Sequence, residues 1–210
     1  MRVPSISSSS VRAAPQQERS ARRLEGFLAS AAKLFAESGF EATTMQAIAE
    51  RSGSSIGALY NYFPDKQSVA VTLLRSYSEE LASRLRSLME ESKKLSVAEF
   101  AGSFIDCIAD FMRERPAWLN LHAAPIGFRR DPAARKALRS TIAHAFRRKN
   151  PSLSSERALL VANVAVQIVK GMKNLYVESE GKTQALVAAE FRKVLASYLE
   201  GVLSEGTRTI

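Results

Sequence analysis

Apolar positions recur at three- and four-residue intervals along most of the chain, the period of amphipathic helices. Leu24, Phe27, Leu28, Ala31, Leu34 and Phe35 predict a helix from about Ala21, with Gly39 where a left-handed C-cap glycine belongs. Thr43, with Gln46 three residues on, has the spacing of a capping box opening a second, short helix. Ile48 and Ala49 face inward there, and Arg51 closes the negative end. Gly53 makes a turn, Ser54 or Ser55 caps a third short helix to about Tyr62, and Pro64-Asp65 breaks and recaps the chain.

A long helix from about Lys66 to about Glu91 carries the stripe Val69, Leu73, Leu74, Tyr77, Leu81, Leu85 and Leu88. Ser96 with Glu99 is a second capping box, with Phe100, Phe104, Cys107, Ile108 and Phe111 inward. Pro116 starts a short helix bearing Trp118 and Leu119, interrupted by Pro125 and Gly127. Asp131-Pro132 reads as an N-cap followed by an N1 proline, and Asn150-Pro151 ends that helix. Two final helices, at about 155–178 and 183–204, are apolar over wide arcs. They carry Val161, Val164, Ala165, Ile168, Val169 and Met172, then Leu186, Val187, Phe191, Val194, Leu195, Tyr198 and Val202. No stretch alternates as a strand does, and no repeat of solenoid length occurs. The fold class is all-α, with about nine helices.

Residues 1–20 break the pattern, being rich in Ser, Pro and Gln with little to bury. They read as a disordered arm or an over-called start codon, or as a basic arm touching DNA, since Arg12, Arg19, Arg22 and Arg23 lie ahead of the first periodic residue. The chain of 210 residues is 46% apolar and 24% charged, the balance of a globular protein large enough for a core. Its longest apolar runs, such as Ala158–Ala162, fall far short of the about twenty residues a membrane helix needs. The first residues lack the apolar segment of a secretory signal. The lone Cys107 fits a reducing compartment, so a cytoplasmic protein with no membrane partner is expected. Only two histidines accompany that cysteine, and no metal-ligand cluster, phosphate-cradling glycine loop or nucleophile–base signature occurs. The expectation is a non-enzyme with no cofactor and no metal.

The net charge of +9 implies an anionic partner without choosing one. Residues 1–66 hold eight basic and six acidic side chains, leaving only +2. The most basic stretch is 129–149, at +7, either a solvated helix face or a surface for an acidic ligand, membrane or nucleic acid.

Three helices within the first 63 residues, with glycine at the second junction, match helix-turn-helix geometry. The first helix of such a pair crosses the DNA backbone and the second enters the major groove. The segment Phe35-Ala36-Glu37-Ser38-Gly39-Phe40, the run Thr43-Thr44-Met45-Gln46-Ala47-Ile48-Ala49, and Gly53-Ser54-Ser55-Ile56-Gly57-Ala58-Leu59-Tyr60-Asn61-Tyr62-Phe63-Pro64-Asp65-Lys66 carry a denser signal. Together they resemble the DNA-binding signature of the tetracycline-repressor-like (TetR) family of bacterial transcription regulators. One position departs: Ser54 stands where that family usually has a small apolar residue, often Val.

The resemblance implies a disordered arm at 1–20, a helix-turn-helix DNA-binding domain at 21–66, and an effector-binding and dimerisation domain at 67–210. Each candidate DNA-contact residue also has a plainer reading. Thr44 offers a hydroxyl to a phosphate, or simply caps its helix. Gln46 reaches a phosphate or an adenine edge, or completes the capping box. Ser55 combines a hydroxyl with an orphan N–H at the reading helix's N-terminus. Gly57 lets the backbone approach DNA, or serves packing; Ala58 suits a thymine methyl. Ile56 packs on the first helix or faces DNA. Tyr60 suits a phosphate at the groove wall, Asn61 an adenine, and Tyr62 a position where the family often carries a phosphate-binding His or Tyr. Lys66 supplies a counter-charge for phosphate, or is simply solvated.

The resemblance also implies a homodimer on a palindromic operator of double-stranded DNA, paired through the last two helices, and a small-molecule effector. Phe104, Cys107, Phe111, Trp118 and His122 permit an aromatic-lined pocket for an apolar or amphipathic molecule, though each alone reads as core. The function expected is a transcriptional repressor released from its operator by that effector. The alternative is a helical regulator or adaptor using the 129–149 basic face.

Overall fold

The computed structural model describes residues 13–129 and 131–204. Among them are nine α-helices and no strand. These are α1 (Ala13–Ala42), α2 (Met45–Arg51), α3 (Ile56–Tyr60), α4 (Lys66–Glu91), α5 (Val97–Glu114), α6 (Pro116–Ala123), α7 (Pro132–Lys149), α8 (Ser155–Val177) and α9 (Lys182–Ser204), with a 3₁₀ turn (Ser92–Lys94) ahead of α5. The chain divides into two units, one running to Leu74 and including Asn120–Gly127, the other holding the rest.

The helix boundaries follow local chemistry. Gly39 breaks α1 with φ of 75°, a left-handed value that costs glycine little. Ser96 and Glu99 form the expected capping box, with Ser96 N–H donating to the Glu99 carboxylate at 2.8 Å and Glu99 N–H to Ser96 Oγ at 3.2 Å. Asp131 caps α7 ahead of Pro132, and Asn150 closes it. Two starts differ from expectation. Residues 13–20 are helical, so α1 begins well before Ala21; residues 1–12, including Arg12, lie outside the described residues. The N-cap of α2 is Thr44, not Thr43. Thr43 is buried and its hydroxyl donates back to the Gly39 carbonyl at 2.7 Å, which leaves the next threonine to cap. Gln46 therefore sits one position too early for a capping box, and its amide donates to Glu50 at 2.7 Å.

In the first unit Phe27, Ala31, Phe35, Ile48 and Leu59 are fully buried and hold α1, α2 and α3 together. The Asn120 side-chain amide donates to the carbonyls of Phe35 and Ala36 at 2.8 and 3.2 Å, and Gln67 donates to that of Ile126 at 3.1 Å. These bonds tie the 120–127 segment to this unit.

The stripe of α4 is buried as expected in both units, Val69 to Leu74 in the first and Tyr77 to Leu85 in the second, after which Met89 takes the buried place and Leu88 is half-buried. Phe100 packs edge-on against Phe146, and Phe111 against both Tyr77 and Trp118. On α9, Arg192 pairs with Asp106 of α5. The last turn of the basic stretch is largely occupied by backbone carbonyls near the ends of neighbouring helices. Arg147 donates to the Leu153 carbonyl, Arg148 to that of Met89, and Lys149 to those of Ser92 and Leu95. Arg130 lies outside the described residues.

The wide apolar arcs of α8 and α9 are split. Val161, Ala165, Val169 and Met172, with Val187, Leu195 and Val202, are buried within the unit. Leu160, Leu175, Leu186 and Val194 are 51%, 45%, 65% and 49% exposed. No helix among the described residues is long and apolar enough to cross a membrane.

Candidate nucleic-acid interface

The turn between α2 and α3 is built by backbone hydrogen bonds. Ser52 is the C-cap of α2, and Gly53 follows with φ of 66°. The Gly53 N–H donates to the Glu50 carbonyl and the Ser54 N–H to the Ala49 carbonyl, both at 3.0 Å. That pair of bonds is the Schellman motif, which needs a positive φ at the glycine. The motif is frequently accompanied by an apolar contact from the residue after the glycine to the helix it closes. Here that residue is Ser54, and the residues it would cover, Ile48 and Ala49, are buried.

Ser55 then caps α3, its hydroxyl accepting from the Ala58 N–H at 3.2 Å. Thr44 does the same for α2, accepting from the Ala47 N–H at 3.1 Å. Each hydroxyl keeps a hydrogen to donate outward while it caps. α3 is anchored by one fully buried residue, Leu59. Around it Ser55, Gly57, Tyr60 and Asn61 are exposed, and Ile56 and Ala58 are half-buried. Tyr60, 52% exposed, is the largest apolar body on this surface. A Cβ on Gly57 would meet nothing within 4 Å, so no packing contact inside the unit demands glycine there. Thr44 and Gln46 on α2 are also exposed. The arrangement offers hydroxyl, amide and phenol groups on two short helices, with a bare stretch of backbone at Gly57 within α3.

Two predicted contact residues have partners inside the unit. Tyr62 is half-buried, its ring 5.5 Å edge-on from Phe27 and its hydroxyl 2.9 Å from Ser20 Oγ. The Lys66 ammonium donates to the carbonyls of Phe40 and Glu41 at 2.6 and 3.0 Å, and lies 4.4 Å from the Phe40 ring centroid. It thus closes the end of α1 beyond the Gly39 break. Arg51 ties α2 to α1 through Glu37 at 2.6 Å.

The residues expected around an effector divide between the two units. Phe104, Phe111 and Trp118 are buried in the second, with Cys107 half-buried. Burial pushes the Cys107 thiol upward, away from thiolate chemistry. His122 is exposed and belongs to the first unit. Sequence reasoning did not single out Lys173, whose ammonium lies 6.0 Å from the Trp118 ring centroid with its pKa pushed down by burial. Among the described residues no cluster of metal-ligating side chains occurs.

Residues 27–72 match the family model of bacterial regulatory proteins of the tetR family, and residues 96–199 match a tetracyclin repressor-like C-terminal domain. The chain is 30% identical to the HTH-type transcriptional regulator BetI of Cronobacter sakazakii over 146 residues, 64% of this chain and 69% of that protein. It is 39% identical to the HTH-type transcriptional repressor KstR2 of Rhodococcus jostii over 71 residues, so the match spans about a third of either length (34% of each). In solved structures the fold is similar to that of a TetR-family regulator from Mesorhizobium loti, with a TM-score of 0.64 at 16% identity, covering 89% of this chain and 97% of that one.

Proposed function

The chain belongs to the TetR family of bacterial transcription regulators, and from that premise we propose that it is a sequence-specific DNA-binding repressor acting as a homodimer on a palindromic operator. The observation that carries the reading is the outward face of α3, where Ser55, Gly57, Tyr60 and Asn61 stand exposed around the buried anchor Leu59. Such a face meets the demands of the major groove. Asn61 pairs with an adenine edge, and Ala58 and Ile56 with thymine methyls. Tyr60 and the hydroxyls of Ser55 and Thr44 donate to phosphates, as does the Gln46 amide. Gly57 brings the α3 backbone close to the duplex.

One helix-turn-helix reads only a few base pairs, and a two-fold pair doubles the contacts and sets the half-site spacing. The outward apolar residues of α8 and α9 support pairing through those helices. Effector release works by bias. A small apolar or amphipathic molecule held near Phe104, Cys107, Phe111 and Trp118 shifts the dimer toward a spacing of reading heads that does not fit the operator. It does so only by as much as its affinity differs between the two states. His122 is the weakest member of that set, being exposed.

Selection of bound duplexes from a random DNA pool tests the reading. The expected result is a two-fold symmetric consensus whose recovery is lost with Tyr60→Ala or Asn61→Ala. A pool that shows no enrichment overturns it.

A further inference from the structure

We propose that the first turns of α1 form a second DNA contact, in which Arg19 and Arg23 grip phosphates flanking the segment read by α3. The inference rests on the DNA-binding reading above and extends it to turns of α1 that precede Phe27, where the match to the family model begins.

The placement comes from one long-range contact. Ser20 Oγ lies 2.9 Å from the Tyr62 hydroxyl, and Phe27, two turns on, packs edge-on against the Tyr62 ring. Ser20, Leu24 and Phe27 share a helical face, with Leu24 half-buried and Phe27 fully buried. The start of α1 is therefore fixed on the residue that follows Tyr60 and Asn61 in the reading segment. At about 100° per residue, Arg23 and Arg19 lie about 60° and about 100° from Ser20, both on the same side. Both are exposed, and among the described residues neither makes an ion pair or a side-chain hydrogen bond. Arg22 differs. It stands roughly opposite Ser20 on the wheel and is paired with Glu18 at 3.5 Å.

Two uncommitted guanidinium groups one turn apart match the spacing of a phosphate backbone better than any single cation. The planar fork of arginine donates two hydrogen bonds to one phosphate. The bare charge balance of residues 1–66 is only slightly positive, so a helix-turn-helix with few long polar side chains gains most from cations placed beside it.

The test is salt dependence with the full chain on a mixed-sequence duplex of about 30 base pairs, since each phosphate contact steepens the slope of log K against log salt by about 0.9. Arg19→Gln/Arg23→Gln is expected to flatten the slope by about 2 per protomer, with Arg22→Gln close to the wild type and all circular dichroism spectra unchanged. A double variant with the wild-type slope overturns this inference alone. So does Arg22→Gln flattening the slope as much as the double variant. A wild-type chain that retains no duplex at any salt overturns both this inference and the reading it rests on.

Discussion

The ammonium of Lys66, at the first turn of α4, donates to the carbonyl of Phe40 at 2.6 Å while lying 4.4 Å from the same residue's ring centroid. One cation thus satisfies the carbonyls left over where Gly39 breaks α1, and the aromatic face holds it in place. Lys66→Met is expected to lower unfolding stability by about 1.5–3 kcal/mol, the range for losing hydrogen bonds from a charged donor. Urea unfolding followed by circular dichroism measures this. A lysine serving phosphate alone would leave the midpoint unmoved and change only DNA affinity.

Gly57 separates folding from binding. Its φ is not in the left-handed region and a Cβ there meets open space. Gly57→Ala should therefore raise stability by about 0.5–1 kcal/mol through helix propensity. The added methyl projects from the face proposed to meet DNA. The expected pair of results is a higher melting temperature together with weaker binding to the selected duplex. Equal binding would show that the α3 backbone does not approach the groove at that point.

Ser54 follows the glycine of the Schellman turn, where an apolar side chain would pack its own methyls toward the buried Ile48 and Ala49. Ser54→Val should stabilise the first unit by roughly 1 kcal/mol, the worth of a methyl or two withdrawn from water. The shift in thermal midpoint reads this directly. No gain would mean that the Ser54 side chain already excludes water as well as valine does.

How much of this was legible in the sequence depends on the range of each interaction. Ser96 with Glu99, Asp131 with Pro132, and Asn150 declare helix ends through bonds spanning four residues or fewer, and the residue types alone identify them, whereas Ser54 and Ser55 are equal candidates by type and the structure makes Ser55 the cap. Thr43 and Thr44 show the limit. Either can cap, and the choice was made by the Gly39 break, whose freed carbonyl claims Thr43. The early start of α1 was hidden because Ala13 to Ser20 carry no apolar stripe. Ser20 instead meets Tyr62, 42 residues away, and Asn120 meets Phe35, 85 away. No periodicity encodes such pairs. On α9 the pattern marks both Leu186 and Val187 as apolar, yet only Val187 is buried in its own unit.

Acid should weaken the second unit through two carboxylates. Hydrogen bonding to the Ser96 N–H holds Glu99 below the ordinary carboxylate range, and the Arg84 guanidinium does the same for Glu114. A lowered folded-state pKa stabilises the fold fully above the unfolded value of about 4.3, and that contribution is lost as pH falls through the lowered value. Thermal midpoints recorded from neutral to acid pH should therefore drop below about pH 4.3. The drop should be shallower in Glu99→Gln, which keeps a capping acceptor that does not titrate. An identical acid limb in that variant would remove Glu99 from the account.

Leu186 is 65% exposed on α9, and Leu160 on α8 is 51% exposed, although Val161, Val169, Val187 and Leu195 on the same two helices are buried. Leaving both in water is unfavourable, and the proposed pairing of two copies through these helices would remove that cost. Leu186→Arg tests this with little harm to the single chain, because a side chain 65% exposed contributes little to the packing of its own unit. In a two-fold interface each copy brings its own arginine, so two charges would be drawn out of water. Sedimentation should then show a monomer where the wild type is a dimer, with unchanged helical content. Affinity for a duplex carrying both half-sites should fall to that for one carrying a single half-site. A variant that still sediments as a dimer would place the pairing surface elsewhere on the chain.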